Sequence, residues 1–241
     1  MRESGILMHI TSLPAPYGIG TMGKDAYAFV DFLVRAGQRY WQILPLTPTG
    51  YGDSPYQSLG ACAGNHYLID LDRLADEGLL KKEEIQNISW GSNPARVDFG
   101  AMYAHRMNVL RLAFQRFAPD EAYETFVEQN RSWLEDYALF TALKDTLGGK
   151  PWLDWPEALR LRKADALAEK RRELSDEIRL QYFVQYEFDR QWKALRSYAN
   201  AKGVRIIGDV PIYVPLDSAD VWANPELFQL DESRHPEQVA G

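Results

Sequence analysis

Cysteine is nearly absent: Cys62 is the only one in 241 residues. A single thiol forbids an internal disulfide and fits a reducing compartment. Histidine is scarce, and His9, His66, His105 and His235 show no pairing at metal-ligand spacing, which argues against a zinc site. Asp70 and Asp72 lack the further oxygen ligands that a calcium loop needs. Long apolar runs are missing, and none approaches the roughly 20 residues of a membrane span. The opening stretch MRESGILMHI has no basic-then-apolar signal region, so a cytoplasmic protein with no membrane partner is expected. Positive charge is in deficit: 27 Lys and Arg face 34 Asp and Glu, a net of −7. That balance argues against nucleic acid as the main partner, since phosphate binding needs basic clusters. A phosphate-cradling Gly-x-x-x-x-Gly-Lys-Ser/Thr loop is lacking, as are a Gly-x-Ser-x-Gly elbow, an internal repeat and a low-complexity tract.

What is present is an ordinary globular composition, 46 % hydrophobic and 25 % charged, with seven Trp, thirteen Tyr and ten Phe. Three short apolar runs read as strands: Gly5 to Ile10, Tyr40 to Leu44 closed by Pro45, and Val204 to Val210 closed by Pro211. Continuous runs of this kind suit strands buried on both faces, as in a parallel sheet. Between the first two, Ala26, Phe29, Val30 and Leu33 share a helical face and Gly37 stands where a C-terminal cap belongs. Strand, helix and strand in about 40 residues read as a βαβ unit. A second helix leads into the third strand: Leu174, Ile178, Tyr182 and Tyr186, then Phe188, Trp192, Leu195 and Ala199, ending at Gly203. The roughly 160 residues between the second and third strands are too long for a loop and mostly helical in pattern. Phe99, Tyr103, Met107, Leu110, Phe114 and Phe117 form one apolar stripe after the N-cap candidate Asp98. Trp133, Tyr137, Phe140 and Leu143 form another before Gly148-Gly149. This predicts a helical subdomain inserted into an α/β scaffold, with boundaries at 1–70, 71–170 and 171–241.

The densest candidate stretch follows the second strand: LPLTPTGYGDSPYQSLGACAGNHYLID, residues 44–70. Loops after strand C-termini carry the active sites of parallel sheets and barrels. The competing reading is a long loop that needs Gly and Pro only for its turns. Tyr51, Tyr56 and Tyr67 weigh against that, because a tyrosine offers a ring face and a hydroxyl to a sugar. Asp209 ends the third apolar run, where it could accept bonds from sugar hydroxyls or an arginine, or simply take local backbone N–H groups. Asp217 or Ser218 can cap a short helix ended by Asn224-Pro225, with Trp222 packing that helix or lining a groove.

Four stretches, in order, resemble the 4-α-glucanotransferases (amylomaltases or disproportionating enzymes, glycoside hydrolase family 77 of the α-amylase clan). They are GILMHITSLPAPYGIG, WQILPLTPTGYGDSPYQSLGACAGNHYLIDL, IIGDVPIYVPLDSADVWANPELFQLD and the closing VAG. The resemblance implies an α/β fold, the first three strands of a (β/α)8 TIM barrel with helical insertions. It implies α-1,4-glucans, maltooligosaccharides and glucose as partners, and no cofactor. The implied reaction is retaining transfer of a glucan segment, with one carboxylate as nucleophile and another carboxyl group as acid and base. Residue by residue, Tyr56 matches a tyrosine expected to stack near the sugar at the cleavage point. Asp209 matches an aspartate expected to support the site by hydrogen bonding. Ser54 is expected to offer a hydroxyl contact in the same loop, and Tyr51 matches a tyrosine that some relatives use in an outlying glucan site. The family's catalytic carboxylates match no position among these 241 residues. The chain is therefore expected to be an N-terminal portion that is inactive alone and prone to self-association through its open sheet edges.

Two other readings compete. One is a non-catalytic protein that binds maltooligosaccharides. The other is a hydrolase of the same clan, disfavoured because Asp209 is followed by Val-Pro-Ile-Tyr-Val where such hydrolases carry Asn-His shortly after the aspartate.

Overall fold

The computed structural model describes residues 2–50, 52–93 and 95–238. Three short parallel strands form one sheet in the order β1-β2-β3: β1 (Gly5–Leu7), β2 (Tyr40–Gln42) and β3 (Arg205–Ile207). Gly5 pairs with Tyr40, and Tyr40 with Arg205. Nine α-helices are described: α1 (Lys24–Arg35), α2 (Leu71–Asp76), α3 (Lys82–Gln86), α4 (Phe99–Phe114), α5 (Glu121–Thr146), α6 (Glu157–Arg160), α7 (Ala164–Glu173), α8 (Ser175–Ala201) and α9 (Ala219–Ala223). The described chain is thus mixed α/β with a parallel sheet, and none of its helices is long and apolar enough to cross a membrane.

Local chemistry sets the helix ends. Asp25 in the first turn and Arg35 in the last complement the dipole of α1, and Gly37 takes φ 70° just past its end. Asp98 caps α4 by accepting the Ala101 N–H at 3.0 Å. Gly148 and Gly149, at φ 72° and 76°, stop α5. Gly203, at φ 78°, turns the chain from α8 toward β3.

Two compact units emerge: one of residues Met1–Leu46, Gly64–Asp120 and Val184–Val210, the other of Thr47–Ala63, Glu121–Phe183 and Pro211–Gly241. The first unit has its core at the sheet. Ala26, Val30 and Leu33 of α1, Trp41 of β2, and Leu195 and Ala199 of α8 are buried together there. The second has an aromatic core of Phe140, Trp152, Trp155 and Trp222. Trp222 is 1 % exposed, its indole N–H donates to Leu159 O (3.0 Å), and the Arg162 guanidinium lies 4.2 Å from its ring. Ser218 caps α9 by accepting the Val221 N–H, while Asp217 pairs with Lys144 at 2.5 Å.

Two expectations fail. The strands are shorter than their apolar runs and are not buried on both faces. β1 and β3 each read exposed, half-buried, exposed, and Leu7 is 57 % and Ile207 43 % exposed. Both are edge strands, so one flank of each lacks a covering strand among the described residues. The stripe expected on α4 is also rotated. Met102, Arg106, Val109, Leu110 and Ala113 are buried, whereas Tyr103 is 53 % exposed. A charged residue, Arg106, occupies an inward position that an apolar pattern cannot reveal.

Candidate functional site

In the second unit, residues 47–63 form a small hairpin rather than an open loop. Thr49 and Ser58 pair as an isolated antiparallel bridge, and the Gly50 N–H donates to Gln57 O at 2.9 Å. Thr47 Oγ1 donates to Pro55 O at 3.2 Å. The reversal runs through Gly52 (φ 94°) and Asp53 (φ 59°), left-handed conformations open to glycine and tolerated by aspartate. The hairpin brings two of the sequence-derived candidates together. Ser54 Oγ accepts the Tyr56 N–H at 3.3 Å, and Tyr56 is 42 % exposed. The third candidate of this stretch, Tyr51, lies outside the described residues.

Below the tip, Ser58 Oγ both donates to Gly60 O (2.8 Å) and accepts the Gly60 N–H (3.0 Å). A Cβ on Gly60 would stand 2.6 Å from the Tyr137 ring, so the turn needs glycine for its close approach to α5. The Ala61 N–H donates to the Asp220 carboxylate at 2.8 Å. Thr49 Oγ1 is buried with no partner among the described residues, a feature that sequence reasoning did not single out.

Asp209 belongs to the first unit. It lies two residues beyond β3, at the strand's carboxyl end, and is exposed. Its Oδ1 accepts the Val210 N–H at 2.8 Å, which is the local backbone contact considered from the sequence.

Sequence reasoning also missed a groove of about 930 Å³ in the first unit, between residues 11–20 and 85–99. Ser12, Tyr17, Trp90, Arg96 and Phe99 are among its lining residues. Its volume lies in the range that holds small ligands. The Tyr17 hydroxyl donates to Asp72 at 2.6 Å, and burial with that carboxylate pushes its pKa up. Trp90 Nε1 donates to Ile85 O at 3.0 Å, and the Arg106 guanidinium stands 5.9 Å from the Trp90 ring. Arg106 Nη2 donates to Tyr67 O (2.7 Å) and to Ile69 O, while its Nε and Nη1 have no partner among the described residues. Burial lowers its pKa to about 10. The available signal was the Pro14-Pro16-Gly18-Gly20 loop after the first apolar run. Among the described residues no group of His, Cys, Asp or Glu side chains could hold a metal ion.

A parallel sheet with functional candidates at its carboxyl end and on the hairpin after its second strand defines an α/β protein of the kind that binds ligands on post-strand loops. Comparison with known proteins gives the family. Residues 8–239 match the family model described as 4-alpha-glucanotransferase. The chain is 51 % identical over 246 aligned residues to the 4-alpha-glucanotransferase of Thermus thermophilus, covering all of this chain and 48 % of that one. It is 47 % identical to that of Clostridium butyricum, covering 97 % of this chain and 49 % of the relative. The amylomaltase from Streptococcus agalactiae, solved in complex with acarbose, superposes with a TM-score of 0.96 at 48 % identity, over all of this chain and 50 % of that chain. The chain therefore belongs to the 4-alpha-glucanotransferase family, and it spans about half the length of the curated relatives it matches.

Proposed function

We propose that this chain is part of a 4-alpha-glucanotransferase that moves an α-1,4-glucan segment to the 4-position of glucose or of another glucan. The observation that carries this reading is the likeness, over all of this chain and 50 % of the neighbour, to the S. agalactiae amylomaltase, at a TM-score of 0.96 and 48 % identity. In this reading the parallel sheet supplies the first three strands of a (β/α)8 barrel, and residues 71–170 are the insertion between the second and third. The reaction is retaining. A carboxylate attacks the anomeric carbon to form a glycosyl-enzyme as a carboxylic acid protonates the leaving oxygen, and an acceptor hydroxyl then displaces the enzyme. Water exclusion and a well-held acceptor favour transfer over hydrolysis.

None of this chain's residues is assigned as nucleophile or acid/base. Tyr56 supplies a ring face, Ser54 a hydroxyl contact, Tyr51 an outlying contact and Asp209 a hydrogen-bonding carboxylate. The exposure of Tyr56 and the position of Asp209 past a strand's carboxyl end are consistent with those roles. The partners are maltooligosaccharides, longer α-1,4-glucans and glucose, and the compartment is the cytoplasm. A second reading, a chain that binds maltooligosaccharide without turning it over, draws on the exposed Tyr56 ring.

The test is disproportionation of maltotriose, read as glucose released and longer maltooligosaccharides formed. The 241-residue chain should release none. The same chain continued to the full length of its relatives should form both products. Turnover by the purified 241-residue chain would contradict the assignment of catalysis to residues outside it.

A further inference from the structure

We infer that Gln185 and Gln191 are positioning residues for the hairpin at residues 47–63, acting by clamping the segment through which the chain returns from it. The functional half of this inference rests on the sugar-binding role proposed for Ser54 and Tyr56. The geometric half lies within the first unit.

Both glutamines face inward from α8, at 2 % and 0 % exposure. Each pairs its side-chain amide with both backbone groups of a single residue. The Gly64 N–H donates to Gln185 Oε1 (2.7 Å), and Gln185 Nε2 donates back to Gly64 O (3.0 Å). The Asp70 N–H donates to Gln191 Oε1 (2.7 Å), and Gln191 Nε2 donates to Asp70 O (3.4 Å). A glutamine is the residue for this task, since one planar group presents an acceptor and a donor side by side.

The segment between the two clamped residues is contracted by a turn. The two glutamines are six residues apart on a helix, about 9 Å along its axis. Their targets are also six residues apart, which in extended chain would run about 20 Å. The 3-10 turn His66–Leu68 shortens the segment by about 4 Å, and Asn65 caps it by accepting the Tyr67 N–H at 2.9 Å. Gly64 completes the fit. A Cβ there would overlap the Phe188 ring, one helical turn on from Gln185, so only glycine lets the backbone come close enough to be clamped.

The clamp sits at the base of the hairpin. The Asn65 N–H donates to Leu46 O at 2.7 Å, so the residues flanking 47–63 meet there. Thr21 Oγ1 donates to Asp70 Oδ2 (2.6 Å), the Met22 N–H donates to Leu68 O (2.9 Å), and Arg106 holds the Tyr67 and Ile69 carbonyls. Inside the fold, then, side chains do for residues 64–70 what a sheet ladder does for a strand. Losing the Gln185 amide strands a buried N–H and C=O next to the hairpin's exit.

The experiment compares the 241-residue chain with Gln185→Met, Gln191→Met and Gln185→Glu, the last keeping the acceptor for the Gly64 N–H. Two readouts are taken: hydrogen exchange at the Gly50 and Gln57 amides, and the dissociation constant for maltoheptaose. Gln185→Met should speed exchange at both amides at least tenfold and weaken maltoheptaose at least fivefold, with α1 exchange unchanged. Gln191→Met should act in the same direction, and Gln185→Glu should recover part of the loss. If Gln185→Met does not fold, Gln185→Glu is the variant that decides, with intermediate exchange expected. Exchange within twofold of wild type at Gly50 and Gln57 in the folded variants would overturn the inference. If exchange responds as stated while the wild-type chain does not bind maltoheptaose, the sugar-binding reading fails and the clamp stands.

Discussion

The two compact units hold themselves together by different means. In the first, α1 and α8 bury an ordinary aliphatic face at the sheet, but residues 64–70 are fixed by polar side chains: Gln185, Gln191, Arg106 and Thr21. In the second, Phe140, Trp155 and Trp222 pack ring against ring, with Trp152 buried in the same cluster. An aromatic core tolerates no loss of volume, whereas a clamped backbone tolerates no loss of a hydrogen-bond partner. The hairpin bearing Ser54 and Tyr56 is counted with the aromatic unit, yet the residues flanking it, Leu46 and Gly64, belong to the clamped one.

Substitutions of decreasing effect sharpen that contrast. Trp222→Ala empties the centre of the aromatic cluster and should cost about 3–5 kcal/mol, read by denaturant unfolding and by exchange at the Phe140–Leu143 amides. A loss under about 1 kcal/mol would deny the cluster its role. In the first unit, acid should do what truncation does in the second. His9 is 9 % exposed, its Nδ1 accepts the Leu44 N–H at 3.3 Å, and burial lowers its pKa from 6.5 to about 4. Between pH 6.5 and 4 the unfolded chain holds the proton and the folded one does not. The contribution of His9 is therefore whole above pH 6.5, falls by on the order of 3 kcal/mol on the way to pH 4, and changes no further below that. Desolvation and the Arg106 charge push His66 down to about 3, which extends the same trend. A pH titration of stability that is no flatter in His9→Gln than in wild type would contradict this assignment.

Gly64→Ala should cost about 1–3 kcal/mol, because the added methyl meets the Phe188 ring. Restoration by Phe188→Leu in the double variant would locate the strain, and simple additivity would place it elsewhere. Smallest in stability, and largest in binding, is Tyr56→Ala. An exposed hairpin residue should change unfolding by less than about 0.5 kcal/mol while removing the proposed ring face for sugar.

The same contrast explains what could be read before the structure was in hand. Helices α1, α4 and α8 showed themselves through apolar spacing, a capping aspartate at 98 and glycines at 37 and 203. Trp222 was legible as a packing residue, whereas the roles proposed for Ser54, Tyr56 and Asp209 rest on the family resemblance. Strand burial was misread, since an apolar run reports what a strand could bury and not whether a neighbour covers it. Leu7 and Ile207 are the cases in point. The inward face of α4 was misread because Arg106 stands in it, and the clamp was invisible because glutamines on a long helix look like its wet side. Buried polar partners sit far apart in sequence, as Gly64 and Gln185 do, and periodicity carries no trace of them.

The measurement that bears most directly on the account is a titration of the isotope-labelled 241-residue chain with maltoheptaose, followed at the backbone amides and the Tyr56 ring. The account predicts saturable shifts at residues 54–57 that vanish in Tyr56→Ala while the fold persists. An absence of shifts at those residues, or shifts unchanged in Tyr56→Ala, would contradict it.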